Sequence, residues 1–74
     1  MTRISSTIKI ENKIQECRND KSLTQQELAE AIEITRATVI ALERGSYNPS
    51  LELAFRLAKF FNKKIDDLFW VKSK

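Results

Sequence analysis

Apolar residues in the middle of the chain recur at helical spacing in three blocks. Leu28, Ala29 and Ile32, followed by Ile34, stand among polar Gln25, Gln26, Glu27 and Glu30, so a helix here carries one buried face. Val39 and Leu42 form a second, narrower stripe. From Leu51 to about Phe61 the proportions reverse. Glu52, Arg56, Lys59 and Lys63 make one thin polar stripe, while Leu51, Leu53, Ala54, Phe55, Leu57, Ala58, Phe60 and Phe61 cover nearly all the rest. That helix offers more apolar surface than one small core needs. Upstream, Thr7 to Ile10 alternates polar and apolar, as a strand does, and Asn12 is placed to cap a first helix running to about Asp20 that buries Ile14 and Cys17. Downstream, Asp66 and Asp67 complement the dipole in the first turn of a short last helix, and Phe69-Trp70-Val71 is β-prone. Ile8 and Ile10 can pair with that tail. The expected fold is mostly α, five helices with a short two-stranded antiparallel ribbon from the termini.

The ends of the central helices are written in their flanking residues. Thr24 followed by Glu27 matches a capping box, in which the hydroxyl takes a backbone N–H three residues on and the carboxylate reaches back to the cap N–H. Thr35 can cap the next helix by the same hydroxyl chemistry, and Gly45 can take the left-handed conformation that ends it. Glu33 and Ile34 are left as the turn. Glu33 and Ser22 can each sit at positive φ, at a cost of roughly 1 kcal/mol that lowers stability without erasing the motif. Ala29 falls where two steeply crossed helices come closest, so small size is its role. Two short helices joined by a tight turn, over about 24–45, make a helix-turn-helix. Such a pair presents the front end of its second helix to a DNA major groove.

The segment LTQQELAEAIEITRATVIALERGSYNPSLELAFRLAKFFNKKIDDLF resembles the Cro/C1-type, lambdoid repressor-like helix-turn-helix domains from about Ile14 to Phe69. It follows their order of leucine-threonine-glutamine start, threonine-capped recognition helix, glutamate-arginine-glycine end and asparagine-proline-serine-leucine lead into the fourth helix. It departs from them at Glu33 and Ser22, where glycines are usual. It is most similar to the small single-domain subgroup typified by the cytolysin repressor, in which short terminal strands flank five helices and the protein works as a dimer.

Composition narrows the chemistry. At 74 residues the chain is read as one domain over 7–74 with a flexible tail at 1–6, and so short a chain has a thin core that a partner subunit would relieve. There is no histidine and the sole cysteine is Cys17, so a zinc cluster, a Cys–His nucleophile pair or an internal disulfide cannot be assembled. The expectation is therefore no enzyme, no metal, no cofactor and no small-molecule ligand. No apolar run approaches the roughly 20 residues of a membrane span, and the start lacks the apolar stretch of a signal peptide, so no membrane association and a cytoplasmic location are expected. The net charge of +3 is mild, and Glu27, Glu30, Glu33 and Glu43 outnumber Arg36 and Arg44 in the helix-turn-helix. Charge alone would not have indicated DNA.

The candidate reading edge follows from Thr35 as cap. Arg36, Ala37 and Thr38 form the first exposed turn, and Ile40 and Ala41 return to the same side one turn later. Arg36 can fork onto a guanine or grip a phosphate, and both readings stand. Ala37, Ile40 and Ala41 can read only thymine methyls or groove shape, which predicts an A·T-rich operator at the positions they face. Gln25 lies at the amino end of the scaffold helix, where unpaired N–H groups make an anion site, and the resemblance gives it a phosphate-clamp role. The resemblance likewise brings Arg44, Ser46, Tyr47 and Asn48, with Thr35, towards the sugar-phosphate backbone, contacts that position without specifying. It also implies a partly buried ion pair between Arg18 and Glu43.

These readings converge on a homodimeric, sequence-specific transcriptional regulator, most simply a repressor that occludes a promoter. Its recognition helices would lie about 34 Å apart on a near-palindromic double-stranded operator. The expected dimer contact uses Ile65, Leu68, Phe69 and Trp70. Two alternatives stand beside this: an autoregulator in a toxin–antitoxin or restriction-control operon, and a protein-binding adaptor or antirepressor that uses the apolar face of the recognition helix.

Overall fold

Three helices begin where a hydroxyl takes over an orphan N–H. In the computed structural model, which describes residues 8–72, α2 (Gln25–Ile32) starts at Thr24, whose Oγ1 accepts from the Glu27 N–H at 3.0 Å while Glu27 Oε1 accepts from the Thr24 N–H at 2.8 Å. The capping box is complete. Thr35 accepts from the Thr38 N–H at 3.1 Å to open α3 (Arg36–Arg44), and Ser50 accepts from the Leu53 N–H at 3.2 Å to open α4 (Leu51–Phe61). The remaining elements are β1 (Ile10–Asn12), α1 (Ile14–Asp20), α5 (Ile65–Leu68) and β2 (Phe69–Val71). The tail read at 1–6, and Thr7, lie outside the described residues.

Asn12 corrects the expected start of the first helix. It pairs with Phe69 in the antiparallel ladder, alongside Ile10↔Val71 and Glu11↔Trp70, so its backbone is extended and Lys13 becomes the cap without a side-chain hydrogen bond. Asn12 instead bridges. Its Oδ1 accepts from the Ile14 N–H at 3.0 Å and its Nδ2 donates to the Leu42 carbonyl at 2.9 Å, tying the ribbon to α1 and to the end of α3. Ile8 lies before the strand and is exposed; the pairing runs from Ile10 to Asn12.

Four helices close the same way. The N–H of Leu23, Ile34, Ser46 and Lys63 each bonds a carbonyl five residues back, on Arg18, Ala29, Ala41 and Ala58, at 2.8 to 3.1 Å. The residue before each donor is left-handed: Ser22 (φ 56), Glu33 (φ 61), Gly45 (φ 76) and Asn62 (φ 55). This closure recovers carbonyls that a helix end leaves orphaned. Ser22 and Glu33 therefore both carry the strain expected of those positions, and Asn62 joins them, asparagine being among the residues that tolerate this region best. Substituting Glu33→Gly is expected to stabilise the protein by about 0.5–1 kcal/mol, since relief of the side-chain clash outweighs the added freedom of the unfolded chain. Urea unfolding of the variant beside wild type reads it directly.

The core gathers Ile14, Cys17, Leu28, Ala29, Ile32, Val39, Leu42, Leu53, Leu57, Ala58, Phe61 and Leu68, with Ile34, Phe60, Ile65 and Phe69 packed around it. Ala29, on α2, is buried in the core. Burial pushes the Cys17 thiol pKa up, which keeps it protonated and unreactive. Two α4 residues depart from the apolar count. Leu51 and Phe55 are 71% and 56% exposed, because Leu53, Ala54, Leu57, Ala58 and Phe61 already fill the face that meets the core. Arg56 leaves the polar stripe and donates from Nη2 to the Ile32 carbonyl, fastening the end of α2 to α4. Among the described residues no helix is long and apolar enough to cross a membrane.

Candidate nucleic-acid interface

The two faces of α3 divide sharply. Val39 and Leu42 are fully buried and anchor the helix. On the opposite side Arg36, Ala37 and Arg44 are exposed and Ile40 and Ala41 are half-buried, so an arginine at each end brackets three small or apolar side chains. The helical period puts these five on one face. Thr38 stands apart: it is half-buried on the flank, and its hydroxyl shares a 2.9 Å hydrogen bond with the Thr35 hydroxyl. The structure thus brings together four of the five residues assigned to base reading and gives Thr38 a second bond at the cap.

Glu43 holds the frame behind this face. Arg18 Nε meets Glu43 Oε2 at 2.6 Å and Arg18 Nη2 donates to Oε1 at 3.3 Å, with the two side chains only 10% and 5% exposed. Arg18 Nη1 donates to the Leu23 carbonyl at 2.7 Å. All three guanidinium nitrogens are therefore occupied, and the pair expected from the resemblance locks α1 to α3. Gln25 enters the same cluster by donating from Nε2 to Glu43 Oε1 at 3.2 Å. Its amide is consequently held at the amino end of α2 instead of moving freely in solvent.

Beyond the carboxyl end of α3 the chain runs through exposed Ser46, Tyr47 and Asn48. Ser46 is engaged, its hydroxyl and its N–H both directed at the Ala41 carbonyl, while Tyr47 and Asn48 present their side chains outward. Thr35 is exposed at the other end. Of the residues expected at a dimer contact, Leu68 is corrected: at 0% exposure it belongs to the core, because the single turn of α5 packs it into the cluster formed by the other helices. Ile65 and Phe69 are half-buried against that core, and Trp70 is exposed.

Sequence reasoning missed three contacts: Gln25 with Glu43, Asn12 with Leu42, and Arg56 with Ile32. Each joins residues 18 to 30 positions apart, and no local pattern encodes them. The polar type of Asn12 in a strand was the available hint, since asparagine is depleted there unless its side chain has work elsewhere.

A family model described as Helix-turn-helix matches residues 14–68. Over 60 residues the chain is 48% identical to an uncharacterized HTH-type transcriptional regulator of Methanocaldococcus jannaschii, a match covering 81% of this chain and 91% of that protein. The cryptic phage CTXphi transcriptional repressor RstR of Vibrio cholerae is 37% identical over 57 residues, covering 77% of this chain and 51% of the repressor. Among solved structures, the restriction-modification controller protein C.AhdI from Aeromonas hydrophila aligns with a TM-score of 0.67 at 31% identity, covering 74% of this chain and 83% of that one. The matched family segment runs from the first residue of α1 to the last of α5, with the threonine-capped α3 at its centre, and the chain belongs to the helix-turn-helix family of the Cro/C1 type.

Proposed function

We propose that this protein is a sequence-specific transcriptional repressor that works in the cytoplasm as a homodimer on a near-palindromic DNA operator. The observation that carries the reading is the outward face of α3, where Arg36, Ala37, Ile40 and Ala41 stand clear of the core that Val39 and Leu42 enter. Arg36 leads the helix and is the group able to read a guanine edge or grip a phosphate. Ala37, Ile40 and Ala41 favour thymine methyls. Thr35 and Gln25 at two helix starts, and Arg44, Ser46, Tyr47 and Asn48 behind the recognition helix, take the backbone contacts that fix register. Arg18 and Glu43 hold these parts in one geometry and touch no base. A two-fold pair would set the recognition helices about one DNA turn apart, so its operator reads as two half-sites at that spacing. Repression follows by occupying a promoter and excluding polymerase.

The similarity to a restriction-modification controller favours one particular setting, a small repressor that regulates its own operon beside a partner gene. Selection of sites from random duplex DNA, with footprinting of the winners, tests the whole reading at once, because it reports sequence, symmetry and spacing together. A selected pool with no shared motif would overturn it. Arg36→Ala is expected to weaken specific binding by about 1–3 kcal/mol per half-site and to relax preference at one base pair. An unchanged preference would leave Arg36 as a phosphate contact.

A further inference from the structure

Alpha-4 turns a second, uncovered face to solvent, opposite the one that enters the core. Leu51 and Phe55 lie one turn apart on it at 71% and 56% exposure, and Glu52 and Lys59 are exposed beside them. Phe55 occupies the middle of this face, with the acid one turn before it and the base one turn after. We propose that this stripe is where two copies of the chain meet, α4 against α4 in antiparallel fashion. The inference rests on the homodimer reading above and names its surface.

The charge pattern selects a second copy as the occupant. A two-fold axis passing beside Phe55 sets each Phe55 against its counterpart. By the same symmetry Glu52 of one protomer lies opposite Lys59 of its partner, and Lys59 opposite Glu52. The stripe is therefore its own complement, which is the requirement of an isologous interface. Any parallel arrangement would set Glu52 against Glu52 and lose that pairing. Phe55 at the centre has the character of an aromatic anchor with charged groups at its rim. The alternative contact built on α5 and β2 leaves only Trp70 and Val71 as exposed apolar residues: Leu68 is wholly enclosed, and Ile65 and Phe69 are already packed on their own core.

Sedimentation equilibrium of the full chain tests this with variants at exposed positions. Wild type is expected to be dimeric at micromolar concentration. Phe55→Glu should raise the dimer dissociation constant by about 30-fold or more, the loss typical of a central anchor, with circular dichroism showing unchanged helix content. Glu52→Lys and Lys59→Glu should each weaken the dimer, and the double charge reversal should restore it. That rescue is specific to the proposed antiparallel register. Trp70→Ser should leave the dimer intact. A Phe55→Glu protein that stays dimeric, or charge reversals that do not rescue each other, overturns the α4 surface while the homodimer reading survives. A wild-type protein monomeric at high concentration overturns both.

Discussion

Replacing Glu43 with alanine is expected to cost the fold about 3–5 kcal/mol, the loss typical when one partner of a buried ion pair is removed and the other stays behind. Arg18 would keep its charge in a site that leaves it 10% exposed, with Nε and Nη2 stripped of their acceptors and only the bond to the Leu23 carbonyl remaining. The Gln25 amide would lose its anchor in the same step. For a small domain whose whole stability is on the order of 5–15 kcal/mol, that is enough to unfold a large share of the molecules. The charge pair itself is not the source of so large a number. Arg18→Met combined with Glu43→Leu removes both charges and should recover most of the stability, because the desolvation of two ions disappears along with their attraction. Denaturant midpoints for Arg18→Met, Glu43→Leu and the double variant form a cycle that separates these contributions. A Glu43→Ala loss below about 1 kcal/mol would mean that water relieves the stranded guanidinium.

Much of this architecture is legible because helix ends are local. Thr24, Thr35 and Ser50 each sit next to the N–H they satisfy, and Gly45 is the chain's single glycine at a position that needs positive φ. The apolar stripes of α2 and α3 read correctly for the same reason, since 3.6-residue periodicity converts directly into a buried face. Asn12 failed that logic. A helix-capping residue type was drawn into a strand by pairing with Phe69 from the far end of the chain, and its oxygen still reached the first helical N–H from one position further back. The α4 pattern failed differently. Leu51 and Phe55 are as apolar as their neighbours, but the core takes only one face of the helix, and sequence alone does not say which apolar residues a core leaves out. At the candidate interface the outward side of α3 was legible from the Thr35 cap, whereas the coupling of Gln25 to Arg18 through Glu43 needed three separate elements to be placed first.

Affinity for operator DNA is expected to fall by about a hundredfold between 50 and 200 mM salt, a modest slope for a DNA-binding protein and one that the interface itself dictates. Arg36 and Arg44 are the cations on the outward face of α3, which makes four in a dimer. With Arg36 in its phosphate-gripping role, and at about 0.9 counterions released per phosphate neutralised, the slope of log K against log salt should lie near −3.6 for the proposed dimer. In the proposed complex the phosphate contacts of Gln25, Thr35, Tyr47, Asn48 and the amino ends of α2 and α3 would be made through neutral donors, Ser46 having spent its hydroxyl and N–H on the Ala41 carbonyl. They add affinity and register without adding to the slope. The mild net charge of +3 and the surplus of glutamates in the helix-turn-helix act in the same direction, limiting attraction to DNA of arbitrary sequence. On the proposed reading, specificity would come from fit, the arginine-flanked apolar stretch of each copy against thymine methyls. Arg44→Ala should flatten the slope by about 1.8, one phosphate for each protomer, and leave discrimination between operators unchanged. An adaptor that used Ala37, Ile40 and Ala41 to hold a protein would behave otherwise, because burial of apolar surface is nearly indifferent to salt in this range. Fluorescence anisotropy of a labelled operator across a salt series distinguishes the two, and binding that is flat with salt would remove DNA as the partner of this face.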